Sequence, residues 1–153
     1  MRQIFGGFAM CVLATSVSGQ DQTKASQRGL NPESIEAIQV RLGDNATEAC
    51  WTNLKEVREY AEEKLRIKGY NIAAELPPPV MPPNFLFWIG VGGERDHNGL
   101  CNGSITISVQ AFAVVDEFLG RFMLLDEGTS ISNASNNLNR RVIEATQAAI
   151  DQM

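Results

Sequence analysis

The only histidine of the chain, His97, stands in the run Gly92-Gly93-Glu94-Arg95-Asp96-His97-Asn98-Gly99. Glu94, Asp96 and His97 are side-chain types that exchange protons or bind cations, so acid/base or metal chemistry would be built in this loop. The wider pattern does not extend it. A zinc site needs several imidazole or thiolate ligands, and one His without paired Cys ligands does not supply them. A Ser or Cys nucleophile would have to use the same His97, and no Gly-x-Ser-x-Gly turn is present. An ordinary hydrolase is not expected. An enzyme or metal-dependent protein built on Glu94 to Asn98 is kept as the second reading, against the plain one of a solvated turn.

Glu94, Asp96 and Asn98 occupy alternate positions, Gly99 follows and Asn102 is suitably spaced, so the loop partly resembles a calcium-binding loop of oxygen ligands. The departure is at the position where that pattern needs a bidentate Glu, which here is Ile105 within an alternating strand pattern. The spacing allows weak calcium binding at Glu94, Asp96 and Asn98 and implies no other cofactor. Gly90, Gly92 and Gly93 are not a dinucleotide loop, because that fingerprint places its phosphate at a helix N-terminus and here a strand follows. Asn45-Ala46-Thr47, Asn102-Gly103-Ser104 and Asn133-Ala134-Ser135 match the glycosylation sequon, which matters only in a host with that machinery.

The three cysteines are Cys11, Cys50 and Cys101. Met1-Arg2-Gln3 is short and positive, Ile4 to Val17 is apolar, and Ser16-Val17-Ser18-Gly19 supplies small residues, so residues 1–19 read as a cleavable secretory signal. An apolar run of about 14 residues falls short of the roughly 20 that span a bilayer. More apolar sequence follows Cys11, which argues against a lipid anchor. The mature chain is expected outside the cytoplasm, periplasmic or secreted, without a membrane span. There Cys50 and Cys101 are most simply a disulfide, since the compartment oxidises thiols and no Cys-x-x-Cys suggests redox chemistry. Closing a loop of that length stabilises by about 4 kcal/mol in the chain-entropy model.

The chain carries 13 Lys and Arg against 18 Asp and Glu, and losing Arg2 with the signal leaves 12 against 18. An acidic chain with no basic run is a poor partner for nucleic acid or anionic lipid, which require cationic patches.

The elements that would position these residues follow from periodicity. Residues 20–33 are polar and aperiodic and read as a flexible leader before a single domain over 34–153. Ile38, Val40 and Leu42 alternate with polar residues, predicting a strand that Gly43-Asp44-Asn45 ends. From Thr47 to Lys68 a helical stripe of Cys50 or Trp51, Leu54, Val57, Ala61 and Leu65 backs a charged, solvated face, and Gly69 closes it. Tyr70 to Ala74 suggests a short strand with Ile72 and Ala74 facing the core. Residues 77–83, rich in proline, must be an extended polyproline crossover, since Pro lacks the amide proton. Phe85 to Val91 and Cys101 to Val115 predict a hairpin joined by residues 92–100. Phe118 to Leu125 predicts another strand before a turn at Asp126-Glu127-Gly128. Ser135 would cap a last helix with Leu138, Val142, Ala145 and Ala149 on its stripe. The sum is an α+β two-layer sandwich, a mostly antiparallel sheet of about four to five strands with two helices on one face.

If Phe85, Phe87, Ile89 and Val91 face the helices, Leu86 and Trp88 point the other way, beside Ser104, Thr106, Ser108 and Gln110. A Trp on a sheet face lined with hydroxyls and amides can stack a sugar or peptide or anchor a protein. The alternative is that the proline crossover or the C-terminal segment covers it. The leading expectation is a non-enzymatic exported binding or envelope-assembly module, its partner an envelope protein, peptide or glycan. A homodimer through the same face is a further possibility.

Overall fold

The two periodicities resolve into β1 (Ala37–Ala46), α1 (Leu54–Ile67), β2 (Asn84–Arg95), β3 (Cys101–Val115), β4 (Phe118–Ile131) and α2 (Asn139–Gln152). The computed structural model describes residues 30–131 and 136–153; the signal expected over 1–19 and most of the leader lie outside them. The strands form one sheet in the order β1-β2-β3-β4. β1 runs parallel to β2 with Ala37 opposite Asn84, and the two later pairings are antiparallel hairpins. The α+β class holds, with a mixed sheet whose parallel pair is made possible by α1 and the crossover.

Both helices pack on one face. Ile38 of β1, Phe87 and Ile89 of β2 and Ile105 and Ile107 of β3 meet Val57, Ala61 and Leu65 of α1 and Val142, Ala149 and Ile150 of α2 in one buried core. Each side chain of this size contributes about 1.5–3 kcal/mol on leaving water. Cys50 and Cys101 are at disulfide distance, Cα atoms 5.6 Å apart, tying the segment before α1 to the first residue of β3. Among the described residues no helix is long and apolar enough to cross a membrane.

Several boundaries differ from the sequence expectation. β1 does not stop at Gly43, because β2 continues beside it and gives Gly43 and Asn45 partners in Gly90 and Gly92. α1 starts at Leu54 and not at Thr47: Glu48 and Ala49 have φ of 52° and 58°, left-handed values that no α-helix contains. Cys50 therefore sits in a connecting loop and not on the helical stripe. Residues 70–74 make only a single bridge, Ile72 with Ile38, and Ala74 is exposed. β2 carries through the glycines to Arg95, which shortens the connection to residues 96–100.

β4 runs straight through the expected turn, since Asp126, Glu127 and Gly128 pair with Ser108, Ile107 and Thr106. α2 begins after Leu138 without a side-chain cap, and Ser135 lies outside the described residues. Residues 30–33, placed with the leader by composition, belong to the fold: Leu30 packs against the core and accepts a hydrogen bond from the Tyr70 hydroxyl at 2.5 Å.

Candidate functional site on the outer sheet face

The face turned away from the helices presents Gln39, Arg41 and Gly43 from β1, Leu86, Trp88, Gly90 and Gly92 from β2, and Ser104, Thr106, Ser108 and Gln110 from β3. The pairings Arg41 with Trp88, Gly43 with Gly90 and Trp88 with Ser108 set these side by side. One end of this face is covered. The crossover lays Leu76 and Val80 against Ala37 and Leu86. The Gln39 amide donates to Ala74 O at 3.2 Å and accepts from Leu76 N at 3.2 Å, and Phe112 N donates to Val80 O at 2.7 Å. The prolines thus form a packed crossover whose flanking residues fill one end of the outer face.

The expected row is split by burial. Leu86, Ser108 and Gln110 are 5%, 3% and 7% exposed, whereas Ser104 and Thr106 are exposed and Trp88 is half-buried. Only the second group is accessible to a ligand.

Trp88 lies down along the sheet on two glycines. A Cβ at Gly43 would sit 2.3 Å from its Cζ2, and one at Gly90 would sit 2.9 Å from its Nε1, so any side chain at either place would lift the ring. β1 and β2 are both stripped of side chains where the indole rests. Its Nε1–H, above Gly90, makes no hydrogen bond within the described residues and is not a buried unpaired donor, so it keeps some contact with solvent. Arg41, beside the ring, makes no ion pair among the described residues.

Beyond Gly90 the same face opens into a shallow depression of about 460 Å³, lined by Asn45, Thr47, Gly92, Gly93, Glu94, Asn102, Gly103 and Ser104. Its floor is glycine backbone and its rim is amide, hydroxyl and one carboxylate. No family model, curated protein or solved structure matches the chain. The geometry of this face therefore carries the functional reading by itself.

The loop singled out for proton or metal chemistry is put together differently. Glu94 belongs to β2 and stands opposite Asn102 at the rim of the depression. Asp96 closes the β2–β3 connection: its Oδ1 accepts from Asn98 N at 2.8 Å and Leu100 N at 2.9 Å. These backbone hydrogen bonds, that from Leu100 foremost, hold its carboxyl below the ordinary carboxylate range. His97 is exposed on this turn. Among the described residues no three His, Cys, Asp or Glu side chains come together to hold a metal ion. Arg95 is structural, its guanidinium donating to the carbonyls of Glu48, Gly99 and Asn136.

Alternation placed Trp88, Ser104 and Thr106 on the outer face but did not bring β1 to it, with Arg41, Gly43 and Asn45. Periodicity ended β1 at its glycine, and the signal overlooked was that Gly43 and Gly90 are both glycines in strands that flank one aromatic residue.

Proposed function

We propose that this domain is a non-enzymatic saccharide-binding module of an exported protein. The carrying observation is the indole of Trp88 laid along the sheet over Gly43 and Gly90, next to a polar depression. A pyranose ring has one face of C–H groups, which stacks on an aromatic surface, and an edge of hydroxyls, which needs amide, hydroxyl and carboxylate partners. Trp88 supplies the first; Asn45, Glu94 and Ser104, which line the adjoining depression, supply the second. An apolar small molecule finds too little enclosure in so open a depression. The acidic composition disfavours nucleic acid and anionic lipid. The disulfide-distance pair Cys50 and Cys101 accords with an oxidising compartment.

The test is a glycan array followed by titration calorimetry with the best soluble oligosaccharide. Trp88→Ala is expected to weaken binding at least tenfold, about 1.4 kcal/mol, with an unchanged circular dichroism spectrum. Equal affinity of the wild type and Trp88→Ala, or no saccharide bound by the wild type, would overturn the reading.

A further inference from the structure

Among the described residues the two edges of the sheet are met unequally. Beside β1, Ile38 N donates to Asn71 O at 2.8 Å and Ala73 N donates to Ile38 O at 2.9 Å, so the segment after α1 meets that edge at Ile38. At the other edge no described residue pairs with the outer side of β4 over its 14 residues. Open edge strands template pairing with another chain; β4 has no Lys or Pro to block its edge, and a partner strand must accommodate its charges and the irregularity at Leu124.

The adjoining surface is apolar. β2 accompanies β3 only as far as Leu86 opposite Gln110, and beyond the hydrogen bond from Phe112 N to Val80 O, β3 and β4 continue as a two-stranded ribbon to the turn at Asp116 and Glu117. Val115, Phe118 and Leu119 on this ribbon are 65%, 78% and 55% exposed. A two-stranded ribbon is marginal in water without a covering layer, and an apolar patch of this kind marks an interface. The acidic pair at its tip makes insertion into an anionic bilayer unfavourable.

The pattern of β4 selects the occupant. Its pairing with β3 slips by one residue at Leu124, so on either side of that point Phe122 and Leu125 both face the helix layer while Arg121 and Asp126 both face outward. Neither Arg121 nor Asp126 makes an ion pair among the described residues. We propose that β4 pairs antiparallel with β4 of a second copy, about a two-fold axis between Met123 and Leu124, forming one continuous sheet. This register sets Arg121 against Asp126 of the second copy, twice, and Phe122 against its Leu125. Glu127 meets Gly120, so no like charges oppose.

Phe118 then arrives opposite Thr129 of the second copy. Thr129 lines a small cleft of about 60 Å³ between the sheet and α2, with Ala145, Ala148 and Ala149 beside Glu127 and Gln152, and its alanines give that exposed ring a surface to rest on. Sliding the register by two residues either way would put Asp126 against Met123 or Leu119 and lose the charge pairing. Self-complementarity under a two-fold axis is what a closed homodimer requires.

Light scattering of the full chain over a dilution series tests this. The wild type is expected to run as a dimer, Arg121→Asp and Asp126→Arg each as a monomer, and the combined Arg121→Asp/Asp126→Arg protein as a dimer again. All these sites are exposed, and circular dichroism checks that each variant folds. A wild type that stays monomeric at every concentration, single reversals that remain dimeric, or a double reversal that fails to recover would overturn the proposal. Saccharide binding by Trp88, on the outer face, is measured separately and can fail or succeed independently.

Discussion

At the scale of single residues, the outer face depends on atoms that are absent. Gly43 and Gly90 leave a bed for Trp88, and restoring one methyl at Gly43 would put carbon 2.3 Å from the ring. Gly43→Ala is therefore expected to tilt the indole off the sheet while keeping the fold. Because Trp51 is 3% exposed and fixed in the core, the expected red shift and increased acrylamide quenching would come from Trp88. Saccharide affinity should fall about as far as in Trp88→Ala, and an unshifted spectrum would contradict the geometry. The reading of Trp88 itself was available from the alternation of Phe85 to Val91, because one apolar face had to be buried and the other then pointed away. Its glycine bed was not, since it joins residues of two strands whose register no local pattern reveals.

At the scale of elements, periodicity located the helices and strands well where one face is buried and poorly where tertiary partners extend them. The stripe Val57, Ala61 and Leu65 was legible because a helix half in water must segregate its faces. The continuation of β4 through Asp126-Glu127-Gly128 was not, because turn-forming residues yield when β3 offers a full hydrogen-bonding partner. The start of α1 was misplaced for a related reason: Cys50 and Trp51 are buried in the core from a loop, which imitates a helical stripe. The bridge acts on that loop beside long-range hydrogen bonds from Thr47 N to Gly93 O and from Leu138 N to Cys50 O. Replacing both Cys50 and Cys101 with Ala should lower the unfolding free energy by about 4 kcal/mol, read from urea denaturation, chiefly by freeing the denatured chain. A change under about 1 kcal/mol would mean that packing around Trp51 holds the loop unaided.

At the scale of the whole molecule, the two faces of the sheet have separate duties: one builds the core with both helices, the other is divided between the crossover and the open polar ground around Trp88. The parallel pairing of β1 with β2 also has a kinetic meaning. Ala37 finds Asn84 only after the helix and the crossover between them have been spanned, whereas β2, β3 and β4 are joined by short turns. Long loop closure is slow and local pairing is fast, so the meander should acquire order first and β1 should dock late. Pulsed hydrogen exchange during refolding is expected to protect amides of β3 before those of β1, and simultaneous protection would refute that order. Until β1 docks, the outer edge of β2 lies bare and Gly43 has not reached Trp88, so binding competence would be the last property this chain gains as it folds.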